Sequence, residues 1–169
     1  MILYLDTSSL IKLYIEEPGT PEVERQFDEA SLVCTSVVAY AEARSALARL
    51  CREGSLPPEE HTRTKANLDQ NWTDYLTVDA TPEVWRAAGD LAEAHALRGC
   101  DSIHLASFLH LVRTDLGEPV QFSSFDGRLR QASRREIEAA LMREGREENL
   151  PRIGLSATTD VPTRLIQSG

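Results

Sequence analysis

The chain opens on "MILYL", an apolar run that stops at Asp6. An uninterrupted run of that length predicts a strand buried on both faces. Behind it, "SSLIKLYIEE" places Leu10, Leu13 and Tyr14 at helical spacing after hydroxyl residues able to cap a helix. Further strands are predicted at "LVCTS" (32–36), "LTVDAT" (76–81) and around Val120–Ser123. Between them, "VVAYAEARSALARLCREG" (37–54) reads as a long helix, with Val38, Ala41, Ser45, Ala48 and Cys51 on one face and Gly54 as its stop. The polar stretch 56–75 reads as a solvated helix opened by Pro57 and Pro58, and Pro82 opens another over 82–97. After a break at Gly99, an apolar helix runs through 98–117 to Gly117, and a last helix starts near Asp126. Strands alternating with helices predict an α/β fold around a parallel sheet with crossover connections.

No internal repeat or low-complexity segment interrupts this pattern. From about residue 150, "PRIGLSATTDVPTRLIQSG" has two prolines, several hydroxyls and no period, so it reads as a tail or edge segment, partly disordered. The 169 residues are ordinary for one domain with its own core, and 41% hydrophobic with 27% charged residues is a globular composition. No apolar stretch is long enough to cross a membrane. Asp6 and Lys12 interrupt any secretory leader. Cys34, Cys51 and Cys100 are scattered, with no Cys-x-x-Cys pair. That argues against a disulfide framework or a structural zinc site and fits a cytoplasmic protein.

Four acidic residues share one kind of position. Asp6 ends the first strand, Glu42 lies in the first turns of the helix after "LVCTS", Asp101 opens the apolar helix after Gly99, and Asp126 follows the last strand. A parallel sheet gathers such points on its carboxyl edge, where open α/β folds bind ligands. Carboxylates gathered there repel one another unless a cation intervenes, and hard oxygen donors are what Mg²⁺ and Mn²⁺ prefer. Each has a plainer reading. Asp6, Asp101 and Asp126 could serve only as helix caps. Glu42 resists that reading, because its helix looks largely buried at its start and an unpaired buried glutamate is costly. His104, three residues after Asp101 on the same helix face, invites a role as general base, but within "SIHLASFL" it reads as a satisfied core histidine.

The stretches "YLDTSSLIKLY", "TSVVAYAEARSAL", "GCDSIHLASFL" and "FSSFDGRL", in that order, resemble the PIN-domain nucleases, and within them the VapC-type toxins of prokaryotic toxin–antitoxin pairs. The resemblance covers about residues 1–135. It implies a PIN-like α/β/α sandwich with a central, mainly parallel sheet, a nuclease domain over 1–140 and a C-terminal extension over 141–169. It also implies an endoribonuclease dependent on Mg²⁺ or Mn²⁺, a homodimer, and a cognate antitoxin that covers or enters the acidic pocket. The family's acidic positions fall on Asp6, Glu42, Asp101 and Asp126, and its hydroxyls on Thr7 or Ser8 and on Ser124, where many relatives have Thr. On this reading Asp6, Asp101 and Asp126 hold the metal directly or through water. Glu42 is a further ligand or orients the attacking water, and Ser8 or Ser124 supports a carboxylate or a bound water.

Net charge qualifies the substrate. The formal charge is −9, and all of the excess lies within residues 1–140, which carry 14 basic against 23 acidic residues. Lys12, Arg44, Arg49 and Arg98 stand near the acidic motifs and could contact phosphates, with Arg49 more than Arg44 reading as a solvated helix residue. So few cations predict weak non-specific binding and a structured or exposed single-stranded RNA site. Three competing readings are weighed. A haloacid-dehalogenase-type phosphatase is excluded, because Ser8 stands where that family has a second aspartate. A PIN nuclease for RNA processing or DNA, and a catalytically silent PIN-fold binding module, are the other two; four filled acidic positions count against the last.

Overall fold

The structure, a computed structural model, describes residues 1–114 and 116–144. Four strands, β1 (Ile2–Leu5), β2 (Leu32–Ser36), β3 (Leu76–Val78) and β4 (Val120–Ser123), form one sheet in the order β3-β2-β1-β4. Every pairing is parallel, with Ile2 opposite both Leu32 and Val120, and Cys34 opposite Leu76. The helices are α1 (Thr7–Leu10), α2 (Thr20–Asp28), α3 (Val38–Arg52), α4 (Pro58–Asn71), α5 (Pro82–His95), α6 (Gly99–Arg113) and α7 (Gly127–Glu144). Short 3₁₀ turns follow α1 and α4 at Ile11–Leu13 and Trp72–Asp74.

β1 explains the sandwich. All four of its residues are buried, as its unbroken apolar run requires. Successive side chains leave a strand on opposite faces. Ile2 and Tyr4 join a core with Leu105, Phe108, Leu129 and Ile137 from α6 and α7. Leu3 and Leu5 join Leu10, Val23 and Ala39 on the other side. The sheet is therefore covered by helices on both faces, the arrangement that parallel pairing needs. A further cluster, Ile11, Ala43, Leu47, Leu56 and Leu68, packs α3 and α4 together.

The order also creates a switch point. From β1 the chain builds outward through β2 and β3, then returns to place β4 on β1's other side. Beyond the carboxyl ends of β1 and β4, the connections diverge and leave a crevice.

Several sequence expectations shift. The helix after Asp6 is only one turn long before it tightens into the 3₁₀ turn. α2 has no counterpart in the hydropathy reading. α3 buries Ala39, Ala43 and Leu47, so the face expected from Val38, Ala41, Ser45, Ala48 and Cys51 is rotated; Ala41 and Ser45 are exposed. α6 ends at Arg113, before Gly117, and β3 is shorter than 76–81. α7 continues past residue 140, and the rest of the 141–169 extension lies outside the described residues. No helix among the described residues is long and apolar enough to cross a membrane.

Candidate active site

The four acidic positions converge. Asp6, Glu42, Asp101 and Asp126 come from β1, α3, α6 and the β4–α7 connection, and all four line one cavity of roughly 800 Å³ at the sheet's carboxyl edge. Their local roles differ, and each follows from its position in the chain.

Asp6 ends β1, where its backbone N–H donates to Ser123 O at 3.1 Å and ties it to β4. Its carboxylate caps α1 by accepting from Ser9 N at 2.9 Å, so the plain capping role is real. It accepts three further hydrogen bonds. The Ser8 hydroxyl reaches Oδ1 at 2.8 Å and Oδ2 at 2.9 Å, and the Ser124 hydroxyl reaches Oδ2 at 2.6 Å. The two serines are braced in turn: Ser8 Oγ accepts from Phe125 N at 2.7 Å, and Ser124 Oγ from Asp126 N at 3.1 Å. Burial pushes the Asp6 carboxyl above its ordinary range, and the nearby His104 and these donors pull it only part of the way back.

Asp126 is the cap of α7, with Oδ1 accepting from Arg128 N at 2.8 Å and Leu129 N at 3.0 Å. Asp101 is not a cap. α6 begins at Gly99 with Arg98 at its cap position, which puts Asp101 in the first turn, facing the cavity. Burial raises the Asp101 carboxyl, the negative charge of Asp126 raises it further, and Glu42 adds to the same effect against the pull of Arg98.

Glu42 is half-buried and fully partnered on one oxygen. Its Oε2 accepts from Thr7 Oγ1 at 2.6 Å and from His104 Nε2 at 2.9 Å. Burial pushes its carboxyl upward, but His104 and Thr7 outweigh it and the net shift is downward. His104 is a buried, satisfied histidine as expected, yet it is part of the site. Its Nε2 carries the proton offered to Glu42, since a carboxylate only accepts, and its Nδ1 lies 3.1 Å from the Tyr4 hydroxyl, which burial keeps protonated. Nε2 is also 3.0 Å from Thr7 Oγ1.

The two hydroxyl candidates after the first aspartate therefore divide, Ser8 to Asp6 and Thr7 to Glu42. Sequence reasoning missed Tyr4 and the role of Thr7. The signal for Thr7 was its place one residue after Asp6, and nothing in the sequence marked Tyr4 as more than a core residue. Among the basic candidates, Lys12, Arg49 and Arg98 line the cavity, while Arg44 is held against Tyr40 and Asp69 on α4, the salt bridge to Asp69 measuring 3.1 Å. The ordering of Arg44 over Arg49 is reversed, because Arg49 lies two turns along the face that carries Glu42.

The donor set fits a divalent cation. It is anionic, made of hard oxygens, and its members raise one another's affinity for positive charge. Among the described residues no three acidic, histidine or cysteine side chains are gathered into a ready-made cage.

Residues 3–134 match the family described as the PIN domain. Ribonuclease VapC45 of Mycobacterium tuberculosis (strain CDC 1551 / Oshkosh) is 36% identical over 108 residues, which span 64% of this chain and 75% of that protein. The fold is also found in the crystal structure of Mycobacterium tuberculosis VapC20, a sarcin-ricin loop cleaving toxin. That match has a TM-score of 0.57 at 18% identity, over 77% of this chain and 94% of the other. VapBC2 from Rickettsia felis, bound to a DNA fragment from its promoter, matches with a TM-score of 0.50 at 11% identity, over 75% of this chain and 90% of that one.

Proposed function

Since the chain belongs to the PIN-domain family, we propose that it is a VapC-type endoribonuclease toxin, dependent on Mg²⁺ or Mn²⁺ and neutralised by a cognate antitoxin. One observation carries the reading: Asp6, Glu42, Asp101 and Asp126 reach a single cavity from four separate elements. A relative named as a ribonuclease at 36% identity supports the reaction class.

Asp6, Asp101 and Asp126 would hold the cation, directly or through water. When bound, it would lower the pKa of a water and neutralise charge on the phosphate oxygens. The chain's own residues do the rest. Glu42, whose Oε2 is held by Thr7 and His104, would orient the attacking water and accept its proton. The downward shift of Glu42 keeps it ionised for that task. His104 and Thr7 fix the carboxylate's rotation, and Ser8 and Ser124 fix that of Asp6. Water oxygen would bond to phosphorus as the bond to the 3′ oxygen breaks, and the departing 3′ oxygen would take up a proton from solvent water, leaving a 5′-phosphate and a 3′-hydroxyl.

The antitoxin belongs to the same proposal, as a protein that covers the acidic cavity, and resemblance to the family supports a homodimer. The test is cleavage of total cellular RNA and a tRNA panel with Mg²⁺ or Mn²⁺. Site-specific, metal-dependent cuts are expected, reduced by about 100-fold or more in Asp6→Asn and Asp101→Asn. A folded wild type that cuts no more than these variants would instead favour a silent binding module, and cuts confined to DNA would favour a DNA-directed PIN nuclease.

A further inference from the structure

We propose that Arg98 and Arg128 form a phosphate-binding subsite beyond the acidic centre, holding the RNA phosphate next to the one being cut. The proposal rests on the nuclease reading for its ligand. It starts from a second cavity, of roughly 410 Å³, on the other side of the Asp101–Asp126 pair. Arg98, Asp101 and Asp126 line both cavities, so the acidic pair is a shared wall and not the end of the groove. A strand whose reacting phosphate sits on that wall must continue in both directions, and one direction leads into the smaller space.

The smaller space sets two arginines against the two aspartates it shares with the acidic centre. Its walls come from the α5–α6 connection, at Ala96 and Leu97, and from the start of α7, at Gly127. Each side contributes one arginine. The backbone N–H of Arg128 donates to Asp126 Oδ1 at 2.8 Å, which roots that arginine beside the acidic centre. Arg98 is close enough for its charge to draw down the Asp101 carboxyl.

The state of these two guanidinium groups separates them from the other cations at the site. In the larger cavity, Lys12 is committed to Glu17 at 2.7 Å and Arg49 to Glu53 at 3.3 Å. Among the described residues, neither Arg98 nor Arg128 forms a salt bridge, and both are exposed. A planar guanidinium with free N–H groups binds a phosphate bidentately, and two that flank one concavity can take a phosphate between them. In a chain with a formal charge of −9, such a local pair offsets the repulsion between the acidic wall and the RNA backbone.

The test uses the full chain and a fluorescein-labelled short single-stranded RNA. Binding is followed by anisotropy across a KCl series with Ca²⁺, and cutting is followed separately with Mg²⁺. Arg98→Gln and Arg128→Gln should each weaken binding about tenfold at low salt and reduce the slope of log K against log salt by about one phosphate's worth. The corresponding Lys variants should recover most of the slope. In cleavage, KM should rise with kcat within about twofold, because the contact is made equally before and during the reaction. Arg113→Gln, at the far end of α6, should leave both readouts at wild-type values. If the two variants keep the wild-type slope, as the Arg113 control does, or if the wild type binds no RNA, the subsite is wrong. If the slope falls in both variants while the wild type cuts nothing, the nuclease reading fails and the subsite stands.

Discussion

Tyr4, His104, Thr7 and Glu42 form a chain of polar atoms running from the core to the cavity, and its value lies in holding Glu42 in one orientation. Tyr4 meets His104 Nδ1, and His104 Nε2–H is aimed at Glu42, where Thr7 also donates. His104→Ala would remove one partner of the buried Tyr4 hydroxyl and one of the groups that hold Glu42. It should cost about 2–4 kcal/mol of stability, from the cavity and the lost hydrogen bonds, and lower kcat by about 10–100-fold with little change in KM. Tyr4→Phe should retain more of both. Chemical denaturation and steady-state kinetics read the two effects separately, and a kcat unchanged in folded His104→Ala would remove His104 from the mechanism. The sequence marked His104 by its spacing from Asp101 but could not orient it. Thr7 and Ser8 are adjacent hydroxyls, and only the turn of α1 decides which carboxylate each one meets.

At the level of elements, the parallel sheet and the four carboxylate positions were legible because strand ends and helix starts carry strong local signals. α2 was not, because its buried residues are Thr20, Val23 and Gln26, only one of them apolar, among charged neighbours. α3 misled for the opposite reason. Its many alanines and its serine give several candidate faces, and tertiary packing chose Ala39, Ala43 and Leu47. Leu47→Ala should therefore cost about 2–5 kcal/mol, while Ser45→Ala should stay within about 0.5 kcal/mol. Equal costs in urea unfolding would restore the rotated face. A second constraint joins distant elements. Gly19, at φ 98°, precedes α2 and packs where an added Cβ would collide with the ring of Phe125. Phe125 stands between Ser124 and Asp126 and also lies 4.5 Å beneath the Lys12 ammonium. Gly19→Ala should cost more than about 1 kcal/mol from backbone strain and displacement of the ring, and should reduce cleavage through Ser124 and Asp126. Full activity with lost stability would confine Phe125 to a packing role.

For the whole molecule, the acidic centre sets stability against function. Folding raises the carboxyl pKa of Asp6 and Asp101, so the folded chain binds those protons more tightly than the unfolded chain does. Their contribution to stability therefore falls as pH rises from the ordinary aspartate range, about 4, toward neutrality. Glu42 has the opposite sign: its lowered pKa stabilises the fold above the ordinary glutamate range, and that support is lost as pH falls through the folded value. Without metal, Asp101→Asn should melt above the wild type near neutral pH, and the gap should close on acidification, where the wild-type carboxyl is protonated as well. Mg²⁺ should then raise the wild-type Tm by mass action, by about 2.7 kcal/mol of added stability at 100 times its Kd, and raise that of Asp101→Asn much less. KCl at matched ionic strength separates this from screening, which relaxes carboxylate repulsion without a specific site. A wild-type Tm that follows KCl and Mg²⁺ alike would mean that the carboxylates repel one another without holding a cation. A rise specific to Mg²⁺ and lost with Asp101 would mean that the destabilising charge is the binding site.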